Sequence, residues 1–268
     1  FFNLFAQEQW KVVSKTVAPI RSLGMRFGST VSINGSSAVI SAPYTRNAID
    51  EGVGALYFYE KTNNNWVLKN EFIGVNAPSR RTQSLGLAQI NGNVAIAVFQ
   101  DWYYLTYHTV IYSRQLDGSW FQSIDNLKLD NYKGVKMSKN HYMSRTKIYP
   151  HLSTVYKADL NQNDPDVLPD DFGDSYDIGD KWVAIGAPKH DKDESGFNPI
   201  NDAGAVYTYL KGASDVWVPQ GKIVASDRKL NMMFGHNISI DGEYIVVSSQ
   251  YESNDELGLN PLSDAGAV

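Results

Sequence analysis

The side chains best suited to chemistry recur in two acidic stretches 62 residues apart. The first runs His190-Asp-Lys-Asp-Glu194 and continues to Asn198 and Asp202; the second runs Glu252-Ser-Asn-Asp-Glu256 and continues to Asn260 and Asp264. Hard oxygen ligands from one loop suit calcium, which takes about six to eight of them. That reading predicts Asp191, Asp193 and Asp202 converging on one ion, with Ser253, Asp255 and Asp264 at the matched second positions. Ser253 in place of an aspartate makes the second site the looser one. The competing reading needs no ion, because Asn and Asp side chains bond their own backbone in turns. It accounts for the same residues more simply, so no cofactor is expected and calcium is the alternative.

A second constellation is basic and aromatic. Lys128, Lys133, Lys136, Lys139, Arg145 and Lys147 face only Asp130 in sequence, with Tyr132, His141, Tyr142 and Tyr149 interleaved. Such a surface suits a polyanion or a glycan, with Lys133, Lys136, Lys139, Arg145 and Lys147 supplying charge and Tyr142 a ring. The plain reading is a solvated face.

Motifs of catalysis are missing. The chain has no Gly-x-Ser-x-Gly elbow, no His-Glu-x-x-His, no Gly-x-x-x-x-Gly-Lys and no dinucleotide fingerprint. His190 and His236 read as loop and packing residues. With no Cys there is neither a thiolate nucleophile nor a disulfide. A net charge of −5 argues against nucleic acid as the partner. No apolar run is long enough to span a bilayer. Phe1-Phe-Asn-Leu-Phe-Ala6 reads either as the tail of a signal peptide or as an opening strand.

The elements that must position these residues come from a repeat. Residues 172–206 lie over residues 234–268 without a gap, matching at Phe172/Phe234, Gly196/Gly258 and Asp202-Ala-Gly-Ala-Val206/Asp264-Ala-Gly-Ala-Val268. Short apolar runs meet at Asn34-Gly35, Asn91-Gly92 and Asp241-Gly242, a strong hairpin signal that predicts type I′ turns with positive φ at both residues. Four runs open on Trp10, Trp66, Trp120 and Trp217, and Trp10 and Trp217 each precede a Phe-Gly by 17 residues. Each unit therefore reads as a meander of four short antiparallel strands, and units start near Phe27, Ser84, Tyr132, Phe172 and Phe234. The second is worn. The third is degenerate, with strands expected at 135–137, 141–144 and 154–157. Repeated meanders without helices predict an all-β fold, a β-propeller of about five four-stranded blades forming a single domain over residues 1–268. Ending inside a third strand reads as a truncated piece, and the Trp10 strand would close the ring by pairing with residues 264–268.

The Phe-Gly openings, the second strands ending Gly186-Ala-Pro188 or Ser41-Ala-Pro43, and the third strands in Gly-Ala-Val resemble the FG-GAP repeat. That repeat builds the propeller of integrin α subunits and occurs in secreted bacterial surface proteins, the subgroup this sequence resembles most. The resemblance is strong over residues 172–268, fair over 10–99 and poor between them. It implies a propeller, secreted or cell-surface placement, and a non-enzymatic role in adhesion or in recognition of a protein or glycan. The alternative is a carbohydrate-active hydrolase with paired carboxylates at the propeller mouth. The integrin calcium cage between first and second strands does not carry over, because Ile33-Asn-Gly-Ser-Ser37 and Ile240-Asp-Gly-Glu-Tyr244 are too short to supply its ligands.

Overall fold

β-branched and aromatic residues in short runs, broken by Gly, Asn and Asp, leave the chain few options besides strands. The computed structural model describes residues 15–46, 52–63, 65–74, 82–101, 106–127, 135–153, 156–160, 170–254, 257, 259 and 261–268. Among these, the only helical turn is a 3-10 turn at Ala213–Asp215. The first sheet holds β1 (Val31–Asn34), β2 (Ser37–Ala42), β3 (Ala55–Thr62) and β4 (Asn65–Ile73) in that order. The second holds β5 (Thr82–Asn91), β6 (Val94–Asp101), β7 (Thr106–Arg114) and β8 (Trp120–Leu127). β9 (Lys136–Met137), β10 (His141–Ser144), β11 (Lys147–Pro150) and β12 (Ala158–Asp159) make the third. β13 (Tyr176–Ile178), β14 (Trp182–Ala187), β15 (Ala205–Lys211) and β16 (Trp217–Ile223) make the fourth. β17 (Phe234–Asp241) and β18 (Tyr244–Ser249) make the fifth, to which Ala267 adds an antiparallel bridge at Ser249. Every strand pair within these sheets is antiparallel.

The hairpins fall where the sequence places them, but one residue out of register. Asn34 pairs with Ser37, Asn91 with Val94 and Asp241 with Tyr244, so the Asn or Asp ends its strand and the glycine opens the loop. Gly35, Gly92 and Gly242 take φ near +57° there. The expected type I′ turn centred on Asn-Gly is therefore corrected to a glycine-first loop. The third unit needs a larger correction. Its third strand is β11, not residues 154–157, because Arg145-Thr146 forms a two-residue turn where the first, fourth and fifth units carry a long loop.

Strands buried on both faces explain the unbroken apolar runs. In β6, Ala95, Ala97 and Phe99 pack with Leu56 and Phe58 of the first sheet. Val94, Ile96 and Val98 of the same strand face the other way, onto Tyr142 and Tyr149 of the third. Met143 and Ile148 in turn pack on Val183 and Ile185 of β14, and Ala184 and Val206 meet Ile238 of β17. Inter-sheet contacts thus run in chain order, with β1 against β5, β5 against β9, β9 against β13 and β13 against β17. The Trp10 strand lies outside the described residues.

Candidate functional site

In their described residues, the loops after β14 and β18 are closed by the same bonds. The Ile200 N–H donates to Asp191 O (2.8 Å) and the Leu262 N–H to Ser253 O (2.6 Å). Gly204 donates to His190 O at 2.8 Å, and Gly266 to Glu252 O at 2.7 Å. At the same two places, the Asp202 N–H meets the Asp191 carboxylate (2.8 Å) and the Asp264 N–H meets the Ser253 hydroxyl (3.2 Å). Asp202 and Asp264 both adopt positive φ, which Asp tolerates better than most side chains.

These bonds engage the proposed calcium ligands. Asp193 accepts the N–H groups of Phe197 (2.9 Å) and Ser195 (3.0 Å) on one oxygen and the Asn198 amide (2.6 Å) on the other. The Phe197 N–H, then the Asn198 amide, hold its carboxyl below the usual carboxylate range. Asp191 is taken up with Asp202 as described. Among the described residues, no group of three or more His, Asp or Glu side chains is placed to hold a metal. Asp255 lies outside the described residues.

The buried charges of this edge were not singled out as a site by the sequence. His190 is almost fully buried, with Nδ1 2.5 Å from Asp170 Oδ2 and Nε2 2.9 Å from Lys222 Nζ. At the matched position 62 residues on stands Glu252, 4% exposed. Its Oε1 accepts the Lys229 ammonium at 3.1 Å, the Ser253 N–H at 3.0 Å and the Asn254 N–H at 2.7 Å. Burial pushes the Glu252 carboxyl up, but the Asn254 N–H and Lys229 outweigh it and hold it below its ordinary value. Arg228, in the connection between β16 and β17, ties that connection to the first loop by donating to the carbonyls of Asn198 (3.2 Å) and Asp191. The signal available in sequence was the recurrence itself: a polar residue at one repeat position in both units.

At the loop tips the recurrence is apolar. Phe197 is 70% exposed and its counterpart Leu259 58% exposed, with Leu257 and Leu262 also largely open. These side chains stand on the surface and take no part in the core clusters.

The basic constellation disperses. Tyr142 is fully buried between the second and third sheets, stacked on Tyr149 at 4.7 Å with its hydroxyl on Ser153 O at 2.6 Å. Its removal from the candidate ligand surface is a correction: both faces of β10 are covered, Met143 packing on the fourth sheet and Tyr142 on the second, and burial pushes its hydroxyl far above the usual phenol value. Arg145 is exposed in its turn and donates to Phe172 O at 3.3 Å. Lys147 lies over the Tyr156 ring, 5.2 Å from its centre. Lys136 pairs with Met143, near that end of β10, whereas Lys139 sits in the turn at the other. Lys133 lies outside the described residues.

Residues 217–268 match the family model of the FG-GAP repeat. A comparison of the chain with curated proteins finds no match. Among the described residues no helix is long and apolar enough to cross a membrane.

Proposed function

We infer that this FG-GAP repeat chain is a non-enzymatic binding or scaffold module, a β-propeller that works outside the cell or at its surface. The observation that carries the reading is the pair of matched loops with Phe197 and Leu259 held out at their tips. A rigid loop loses little conformational entropy when a partner covers it, so apolar tips on bonded loops favour association. Leu257, Leu259 and Leu262 are aliphatic, which favours a protein over a glycan, since sugars are better received by flat aromatic rings and hydrogen-bonding groups; Phe197 is the one ring among these exposed side chains. The propeller reading is supported by sheets that touch in chain order through their first strands, as blades around an axis would. Secreted or surface placement rests on the repeat's usual setting.

The rival is a glycoside hydrolase, and one pair of assays separates the two. The purified chain is screened on a glycan array and against a panel of chromogenic glycosides, and its Phe197→Asp/Leu259→Asp variant is compared in surface adhesion. Loss of adhesion in the variant, with no turnover of any glycoside by either form, is the expected result. Turnover of a glycoside, or adhesion indifferent to both substitutions, overturns the proposal.

A further inference from the structure

Negative charge is concentrated on the two loops that carry the apolar tips. Residues 190–204 hold Asp191, Asp193, Glu194 and Asp202 against Lys192, a net charge of −3. Residues 252–266 hold Glu252, Asp255, Glu256 and Asp264 with no Lys or Arg, a net charge of −4. Together they exceed the net −5 of the whole sequence, so the rest of the sequence carries a small positive excess. Glu194 and Asp264 are exposed and Asp202 is half-buried, and none of the three forms an ion pair among the described residues. The cations flanking the loops are already held. Lys189 pairs with Asp171 at 2.7 Å, Arg228 is spent on the Asn198 and Asp191 carbonyls, and Lys229 reaches Asp227 (3.4 Å) and Glu252 (3.1 Å).

The two loops belong to one edge of the molecule. The connection between β16 and β17 runs from one to the other: the Asn231 N–H donates to Asn201 O of the first loop at 3.0 Å, and Lys229 reaches Glu252 at the start of the second. Leu230, between these two anchors, is largely exposed. Phe197, Leu230 and Leu259 therefore stand out along the same edge, among carboxylates. Phe197 is open although the fourth sheet is packed on both faces, so its exposure belongs to the loop and not to an uncovered sheet. The Asp193 carboxylate accepts the Phe197 N–H at 2.9 Å, which fixes a ring and a negative charge side by side.

We propose, resting on the reading of the loop tips as a binding surface, that their partner is a basic protein segment in which Lys and Arg flank apolar residues. Apolar tips alone receive any apolar surface. The carboxylates around them turn acidic partners away and speed the encounter with basic ones. Nucleic acid, sulfated glycans and anionic membranes are repelled on the same ground. At Phe197 an Arg fits better than a Lys, because a guanidinium can lie on the ring face while its N–H groups meet a carboxylate.

Binding of the full chain to an array of synthetic peptides tests it. The peptides share the same apolar residues and differ only in their flanks, which are Lys and Arg, Ser, or Glu. The expected order is basic flanks first, Ser flanks weaker and Glu flanks not at all, with the basic peptides losing affinity as salt is raised. Glu194→Lys, at an exposed carboxylate, weakens binding of the basic peptides about fivefold at low salt, the scale of an exposed charge pair, and leaves the Ser-flanked peptides unchanged. Asp264→Asn acts in the same direction, and Asn tolerates the positive φ at that position. Phe197→Ser/Leu259→Ser weakens both classes of peptide. Equal binding of basic and Ser-flanked peptides, both lost in that double variant, overturns the charge preference and leaves the loop-tip reading standing. Binding of basic peptides that neither salt nor Glu194→Lys alters overturns it too, as does binding to none of the peptides. Binding that the double variant leaves untouched brings down both readings.

Discussion

At the scale of single residues, the repeat's glycines mark where one backbone rests on another. Gly204, at φ +87°, bridges Phe234 in parallel, and a Cβ there would overlap that residue's backbone. Gly235 lies close to Ala205 O, where a Cβ would stand 2.6 Å away. The Gly-Ala-Val and Phe-Gly signatures are thus two halves of one contact. Gly204→Ala combines that overlap with a disfavoured φ, and a loss of more than about 3 kcal/mol is expected, read as a fall in the urea midpoint at constant m. Gly221→Ala, with no atom near its Cβ, should stay within about 0.5 kcal/mol. Buried histidines set a pH dependence. His141 is 3% exposed and meets Trp217 edge-on; burial, then Lys211, lowers its pKa, and burial lowers that of His151. Because the folded values lie below the unfolded one near 6.5, the unfolded chain takes up protons first as pH falls. The stabilisation is complete above about pH 6.5 and is lost as pH drops below it towards the depressed folded values. The melting temperature should therefore decline from pH 7.5 to 5, and His141→Phe should flatten that slope.

Elements are joined by side chains placed identically in successive first strands. Asp177 accepts its neighbour's N–H across the sheet gap, and Ser32 does the same with a hydroxyl. Asp177→Ala leaves the Ile240 N–H unmet in a half-buried gap and should cost about 1–2 kcal/mol, with faster amide exchange at Ile240. Asp177→Ser restores the arrangement found at Ser32 and should recover most of the loss. Equal exchange rates in the two variants would show that the link contributes nothing. The acidic loops behave as elements too. Asp191 and Asp193 already accept backbone N–H groups, and these bonds close the loop. Excess calcium should leave the melting temperature unchanged, whereas Asp193→Ala should lower it by opening the turn; a calcium-dependent rise would restore the metal reading.

Across the whole molecule, stability passes from sheet to sheet. Among the described residues, the second and fourth sheets have a packed neighbour on each face, while the fifth has one on the side of Ala184 and Val206. Structures in which each unit touches only its neighbours open from their ends. Amide exchange should be slowest in β6 and β14 and markedly faster in β18. Uniform protection across all three strands would mean that the sheets open as one cooperative body.

Strand periodicity, hairpin positions and the 62-residue recurrence are local properties, and residues 172–268 displayed all three. They determined an all-β chain of four-stranded meanders, because a pattern of period two with Gly at the turns has one way to fold locally. The third unit was misread past Pro150, since its long loop is replaced by Arg145-Thr146 and the loop had been the landmark. What a polar side chain does depends on what the next sheet brings to it, and spacing carries no record of that. Tyr142 was interleaved with lysines in sequence, but the second sheet covers it. His190 stood beside Asp191 in sequence, yet its partners are Asp170 and Lys222, 20 and 32 residues away. Burial and long-range pairing arise only when separate sheets close on one another, so the tertiary structure alone decided which of these groups serve the core and which face solvent.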